Sequence, residues 1–195
     1  MRKLILILFI LLSCASLANS GGIISFPGGG VPSSVCVKDA GTLVMAQAVN
    51  SDTVILSTTF QVAQTISHTD GGGTWKLHSI DLYMSVAGDQ LCDLEVRIGD
   101  NINLTGGNIW ETWTVTDVQE EDDYHTFLSV DNDTYTDGTT YWIGIHETGG
   151  NCRPGGDSTG DYAGGNYHSD TNNNWTFDGF DYTERDVTMN VYKCQ

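Results

Sequence analysis

"SIDLYMSVAGDQLCDLEVRIG", residues 79–99, decides the fold. Ile80, Leu82, Met84 and Val86 alternate with Asp81, Tyr83 and Ser85, and beyond AGDQLC the apolar Leu94, Val96 and Ile98 alternate with Asp93, Glu95 and Arg97. A period of two sends successive side chains to opposite faces of an extended chain. Each segment is therefore a strand with one buried and one wet face. The short polar turn predicts that the second strand pairs back on the first.

Working outward, LVMAQAV (43–49), TFQVAQTIS (59–67), TWTVTDV (112–118), HTFLSV (125–130), TYWIGIH (140–146) and DVTMNVYK (186–193) have the same character. They are rich in Val, Ile, Thr and aromatics, and Gly, Asn and Asp clusters separate most of them. No stretch sustains an apolar 3.6-residue period, and there is no internal repeat or heptad. The expectation is an all-β single domain over 36–195, a two-sheet antiparallel β-sandwich of the jelly-roll kind.

The chain begins MRKLILILFILLSCASLANS, with Arg2 and Lys3 ahead of an apolar run that gives way to small residues. That is the pattern of a secretory signal peptide over 1–20. The run is shorter than the roughly 20 residues that a membrane-spanning helix needs, and no later stretch approaches that length. Leu11-Leu12-Ser13-Cys14 also resembles a lipobox, but Leu12 stands where a smaller or β-branched residue is usual. A secreted or cell-surface protein is expected, with a lipid anchor at Cys14 the weaker alternative. Residues 21–35, GGIISFPGGGVPSSV, read as a Gly/Pro/Ser-rich linker or arm.

The formal charge is −17, from 25 acidic against 8 basic residues. Such a surface repels nucleic acid, which binds through cations that neutralise phosphates, and it repels anionic lipid. Four cysteines remain after the leader: Cys36, Cys92, Cys152 and Cys194. None is set as CxxC, so zinc and redox motifs are absent, and an even number in an exported chain reads as two disulfides with three possible connectivities. Cys36 lies just before the first strand and Cys194 after the last, which favours Cys36 with Cys194 and Cys92 with Cys152.

Three strings invite a chemical reading. Gly155–Gly160, GGDSTG, looks like the surroundings of a protease serine, but no histidine stands in a matching context, and a serine without a base is inert. Asp131–Gly138, DNDTYTDG, has the spaced oxygens of a calcium loop, yet Tyr135 and Thr136 occupy positions that need a ligand and a glycine. It reads as a turn. Glu120–Asp123, EEDD, could supply paired carboxylates for glycoside hydrolysis, which needs one of them shielded across a cleft; four consecutive acids are expected to be solvated. No catalytic residue, metal site or cofactor is assigned, although structural calcium is compatible with so acidic a domain. Asn103, Asn132 and Asn174 head glycosylation sequons.

QVAQTIS (61–67), LHSIDLYMSVAGDQLCDLEVRI (77–98), YTDGTTYWIGI (135–145), YAGGNYHSDTNNNW (162–175) and RDVTMNVY (185–192), taken in this order, resemble the choice-of-anchor type of jelly-roll domain of secreted bacterial, archaeal and phage proteins. Gln90-Leu91-Cys92 and Met189 depart from that family's Pro-Thr-Gly turn and closing Phe. The resemblance implies a sandwich akin to carbohydrate-binding modules and galactose-binding-like domains, with no catalytic residues to carry over. Function is then expected to be non-catalytic recognition of a glycan or another surface ligand. The alternative is a structural or adhesive protein that self-associates through the sandwich and the 21–35 arm.

Sugar sites combine flat aromatics with Asn and Asp. The loop DYAGGNYHSDTNNNWTFDGFDY, residues 161–182, offers Tyr162, Tyr167 and Trp175 with Asp161, Asn166 and Asn173. Whether Trp175 faces inward or outward decides whether that loop is a platform or a cap.

Overall fold

The computed structural model describes residues 38–46, 52–53, 61–69, 71–85, 91–119, 123–131, 133–157, 166–171, 174–177, 180–182 and 185–194, with the backbone alone at 38–42, 52–53 and 180–182. The expected leader and arm, with Cys14 and Cys36, lie outside these residues, as do Asp161, Tyr162 and Asn173.

The strands are β1 (Lys38–Ala46), β2 (Asp52–Thr53), β3 (Gln61–Ser67), β4 (Thr74–Trp75), β5 (Leu77–Met84), β6 (Leu91–Gly99), β7 (Ile109–Gln119), β8 (Asp123–Leu128), β9 (Tyr135–Thr136), β10 (Thr140–Gly149), β11 (Gly155–Asp157), β12 (Tyr167–Asp170), β13 (Phe180–Tyr182), β14 (Asp186–Val187) and β15 (Met189–Cys194). One sheet runs β1-β15-β5-β8 and the other β13-β12-β3-β10-β6-β7. Two small sheets, β14-β11-β2 and β4-β9, complete the described residues. The fold is an antiparallel all-β sandwich. Val62, Ile66, Ile80, Leu82, Val96, Ile98, Phe127, Ile143, Ile145, Met189 and Val191 fill the space between the two large sheets.

Ile80, Leu82, Met84, Leu94, Val96 and Ile98 are buried as the sequence implies, but Asp81 and Ser85, expected on a wet face, are buried as well, Val86 lies outside the described residues, and the pairing differs. β5 lies between β15 and β8 in one sheet, whereas β6 lies between β10 and β7 in the other. A period of two specifies which side chains are buried and says nothing about which neighbour supplies the hydrogen bonds. Ile80 and Leu82 thus meet Val96 and Ile98 across the core instead of side by side.

Cys92 and Cys152 form a disulfide with Cα atoms 5.4 Å apart. Cys194 is also disulfide-bonded, while Cys36, its expected partner, is outside the described residues. Within the DNDTYTDG string Tyr135 and Thr136 form β9 and Asp137–Gly138 make the turn that follows: Tyr135 is 1% exposed and stacked 4.5 Å from Trp75, and Gly138 takes φ 75. A buried ring at Tyr135 places no oxygen where the calcium loop would need one. Asp157 of GGDSTG is 1% exposed within β11, and residues 158–160 lie outside the described part.

The two sheets differ in what lies on their outer faces. Over the six-stranded sheet, Leu104, Trp175 and Phe177 form a second apolar cluster against Ala63. On the four-stranded sheet, strand register sets Leu43, Tyr192, Ser79 and Leu128 in one outward row, and Ala46, Asn190, Asp81 and Thr126 in the next. Ser79 and Asp81 are buried, while Leu43 is 43% and Leu128 57% exposed.

Two buried carboxylates pin loops to this frame. Glu111 accepts from Val130 N at 2.6 Å and Ser129 Oγ at 2.8 Å, and Glu147 accepts from Cys152 N at 2.6 Å. Burial raises the pKa of both above the ordinary glutamate range, although those hydrogen bonds pull the other way. The folded state therefore holds these protons at a pH where the unfolded chain has released them. Stability contributed by the two groups is present below the ordinary carboxylate pKa and lost as pH rises through the raised values. Thermal unfolding between about pH 4 and pH 7 should show the midpoint falling, and Glu111→Gln with Glu147→Gln should flatten that fall.

Candidate functional site

The 161–182 loop is resolved into separate roles by the alternation of β12. Tyr167 points into the main core and is 2% exposed. His168, next along the strand, turns to the other side, where its ring lies 4.7 Å from Trp142. Trp175 is on that second side too, 6% exposed. Tyr167 and Trp175 are thus on opposite faces of the six-stranded sheet, and neither offers a free ring to a sugar. Asn166 is exposed, and its backbone extends the pairing to β3 through Thr65 N at 3.0 Å.

Trp175 is held as a cap. Its N–H donates to Gln61 Oε1 at 3.1 Å, Gln61 Nε2 donates to Thr176 O at 3.3 Å, and Leu104 N donates to Trp175 O at 3.0 Å. Its φ is 59, left-handed backbone that costs a bulky residue energy and persists only where the surroundings fix it. The ring needs Gly144 beneath it, because a Cβ there would stand 2.9 Å from Trp175 Cζ3 and 2.5 Å from Leu104 Cδ1. The Arg97 guanidinium carbon lies 4.1 Å from the ring centroid, and Arg97 also pairs with Glu95 at 2.6 Å and donates to Leu104 O at 2.8 Å.

A cleft is found elsewhere, where β7 and β8 run along the same side of the sandwich in different sheets. At one end these edges are stitched together: Trp113 Nε1 donates to Leu128 O at 2.8 Å, and Glu111 holds Ser129 and Val130. At the other end they part around an open groove of about 270 Å³ lined by Met84, Asp117, Val118, Gln119, Asp123, Tyr124 and His125.

A bulge produces the parting. Register along β6 and β7 passes from Leu94↔Val115 to Cys92↔Val118, so β7 holds an extra residue there. Asp117 takes φ 56, and its N–H donates to Asp93 Oδ1 at 3.0 Å. Bulges of this kind bend a strand and re-aim its side chains, and they are frequent beside binding sites. The wall behind is firm, since Cys92, opposite Val118, carries the disulfide to Cys152.

The lining is mixed. Met84 and Val118 are apolar and buried, and Tyr124 is half-buried with its ring 5.1 Å from that of Tyr83. Asp117, Gln119 and Asp123 are exposed hydrogen-bonding groups. Burial lowers the pKa of His125, so its imidazole is neutral at neutral pH and has one donor and one acceptor nitrogen. No Lys or Arg is among the described residues that line the groove. Asp123 is the last of the EEDD run; 120–122 lie outside the described residues. Among the described residues, no group of three or more His, Cys, Asp or Glu is placed to hold a metal ion.

Sequence reasoning placed candidate ligand contacts in 161–182, of which Asp161, Tyr162 and Asn173 lie outside the described residues, and did not single out this groove. One signal was available: in TWTVTDV the apolar positions step from Trp113 to Val115 and then by three to Val118, the mark of a bulge. No known protein family matches the chain, and no curated protein or solved structure matches it.

Proposed function

We propose that the protein is a secreted or surface-displayed, non-catalytic recognition module that binds a neutral saccharide in the β7–β8 corner groove. The observation that carries this reading is the mixed lining of that groove. A sugar ring has an apolar C–H face and a rim of hydroxyls, which Tyr124, Met84 and Val118 complement on one side and Asp117, Gln119, Asp123 and His125 on the other. The volume lies just below the ~300–1,000 Å³ of pockets for drug-sized ligands, in keeping with one ring and its substituents.

Two exposed carboxylates, Asp117 and Asp123, in a described lining that holds no Lys or Arg disfavour uronic acids, sialic acids and phosphorylated sugars. The same two groups are solvent-exposed, whereas a glycosidase acid needs a shielded carboxyl that retains its proton. That supports binding over hydrolysis. Counted among the eight longer strands, successive members exchange sheets at every step but the one from β6 to β7; such crossing is the habit of a jelly roll, and the sequence resemblance to choice-of-anchor domains points the same way.

The test is a glycan array spanning neutral, amino and acidic oligosaccharides, probed with the protein and with Gln119→Ala and Tyr124→Ala. Retention of neutral glycans is expected, weakened by each variant about tenfold or more, equivalent to about 1.4 kcal/mol. Equal retention by parent and variants would place binding elsewhere, and preferential retention of acidic glycans would contradict the electrostatic reading.

A further inference from the structure

We propose that His68 is a proton-operated latch between the two large sheets, which accepts a hydrogen bond from Lys193 when neutral and turns to Asp137 when protonated. His68 follows β3 of the six-stranded sheet, and Lys193 lies on β15 of the four-stranded sheet. Lys193 Nζ stands 2.9 Å from His68 Nε2. Asp137, in the turn after β9, places Oδ1 3.9 Å from that same nitrogen. One ring atom thus faces an ammonium within hydrogen-bond reach and a carboxylate just beyond it.

The chemistry of the two partners sets the order. An ammonium has three donors and no acceptor, so the Lys193 contact needs the lone pair of Nε2 and hence the ring proton on Nδ1. A protonated imidazole has N–H groups at both nitrogens. Its Nε2–H can no longer receive from Lys193, and the acceptor set beside it is the Asp137 carboxylate. That carboxylate is already fixed, because Oδ2 accepts from Gly72 N at 3.0 Å and Asp137 N donates to Gly73 O at 3.0 Å. Gly138 N donates in turn to His68 O at 2.7 Å. The β3–β4 and β9–β10 turns are therefore one hydrogen-bonded unit, and a ring that moves to Asp137 stays within that unit and gives up its tie to β15.

The surroundings let the proton decide. The side chains of His68 and Asp137 are only 14% and 7% exposed, where salt screens charges less than on an open surface. Against the ring, β15 contributes Lys193, the β9–β10 turn Asp137, and β4 the uncharged Trp75, whose ring meets it edge-on with centroids 6.1 Å apart. Lys76, beyond Trp75, is exposed, and Asp70 lies outside the described residues. Imidazole is the side chain that ordinarily changes charge between about pH 5 and pH 8, so the exchange separates a neutral from a mildly acidic setting.

Nitrogen NMR of the imidazole ring, with amide spectra of the full chain recorded from about pH 8 down to about pH 5, tests the latch. At the upper end the ring should be the Nδ1–H tautomer. On acidification the amide signals of Lys193 and Gly72 should shift in step with the ring, one reporting the lost contact and the other the new one. His68→Gln, which does not titrate, should abolish both shifts. Asp137→Asn should diminish the Gly72 shift severalfold and retain that of Lys193. An Nε2–H tautomer in the neutral ring overturns the proposal, as does a Gly72 amide that stays still while the ring titrates. Shifts that persist in His68→Gln, or a Gly72 shift undiminished in Asp137→Asn, overturn it equally.

Discussion

Trp175→Ala is expected to destabilise the fold by about 3–5 kcal/mol, the usual range for emptying a buried large aromatic site, and to leave saccharide binding intact. The ring covers Ala63 and Gly144, meets Leu104 and Phe177, and supports the Arg97 guanidinium at 4.1 Å. Its removal leaves a void that Gly144 cannot fill and takes a packing partner from the Arg97–Glu95 pair. Trp175→Phe should recover part of the loss. Urea unfolding monitored by circular dichroism measures it. A variant as stable as the parent that has lost glycan retention would instead make Trp175 a binding platform.

The second large effect concerns the disulfide. Cys92 and Cys152 are separated by 60 residues, and closing a loop of that size in the unfolded chain is worth about 4 kcal/mol in the chain-entropy account. Cys92→Ala with Cys152→Ala should lower stability by about that amount. The double change avoids leaving one reactive thiol. Because Cys92 faces Val118 in register, amide exchange at 117–119 should also accelerate in the variant. Unchanged unfolding energy and exchange would show that β6 and β10 hold this corner unaided.

Much of this architecture was legible in side-chain alternation. The longer strands stand close to where the apolar period of two places them, because burial on one face leaves a direct imprint on sequence. Pairing left none: β5 and β6 look like a hairpin through AGDQLC, yet they belong to different sheets. The disulfide between Cys92 and Cys152 could be favoured by eliminating the termini, without any knowledge of that topology. Short strands such as β2 and β11 escaped because two or three residues carry no period.

The candidate site was harder to read for a different reason. Aromatics and asparagines in 161–182 have the composition of a sugar platform, but composition does not carry orientation. Tyr167 and Trp175 are sent to opposite faces by strand alternation and a left-handed residue. Conversely, the groove residues look ordinary, since a bulge near Asp117 and the separation of two sheet edges, both three-dimensional events, bring them together.

The most direct measurement is an amide chemical-shift titration of isotopically labelled protein with the neutral oligosaccharide that the array retains best. Shifts concentrated at Asp117–Gln119 and Asp123–His125, with Tyr167 and Trp175 unmoved, are the predicted result. Shifts centred on residues 161–177 with the corner silent would contradict it and return recognition to the loop.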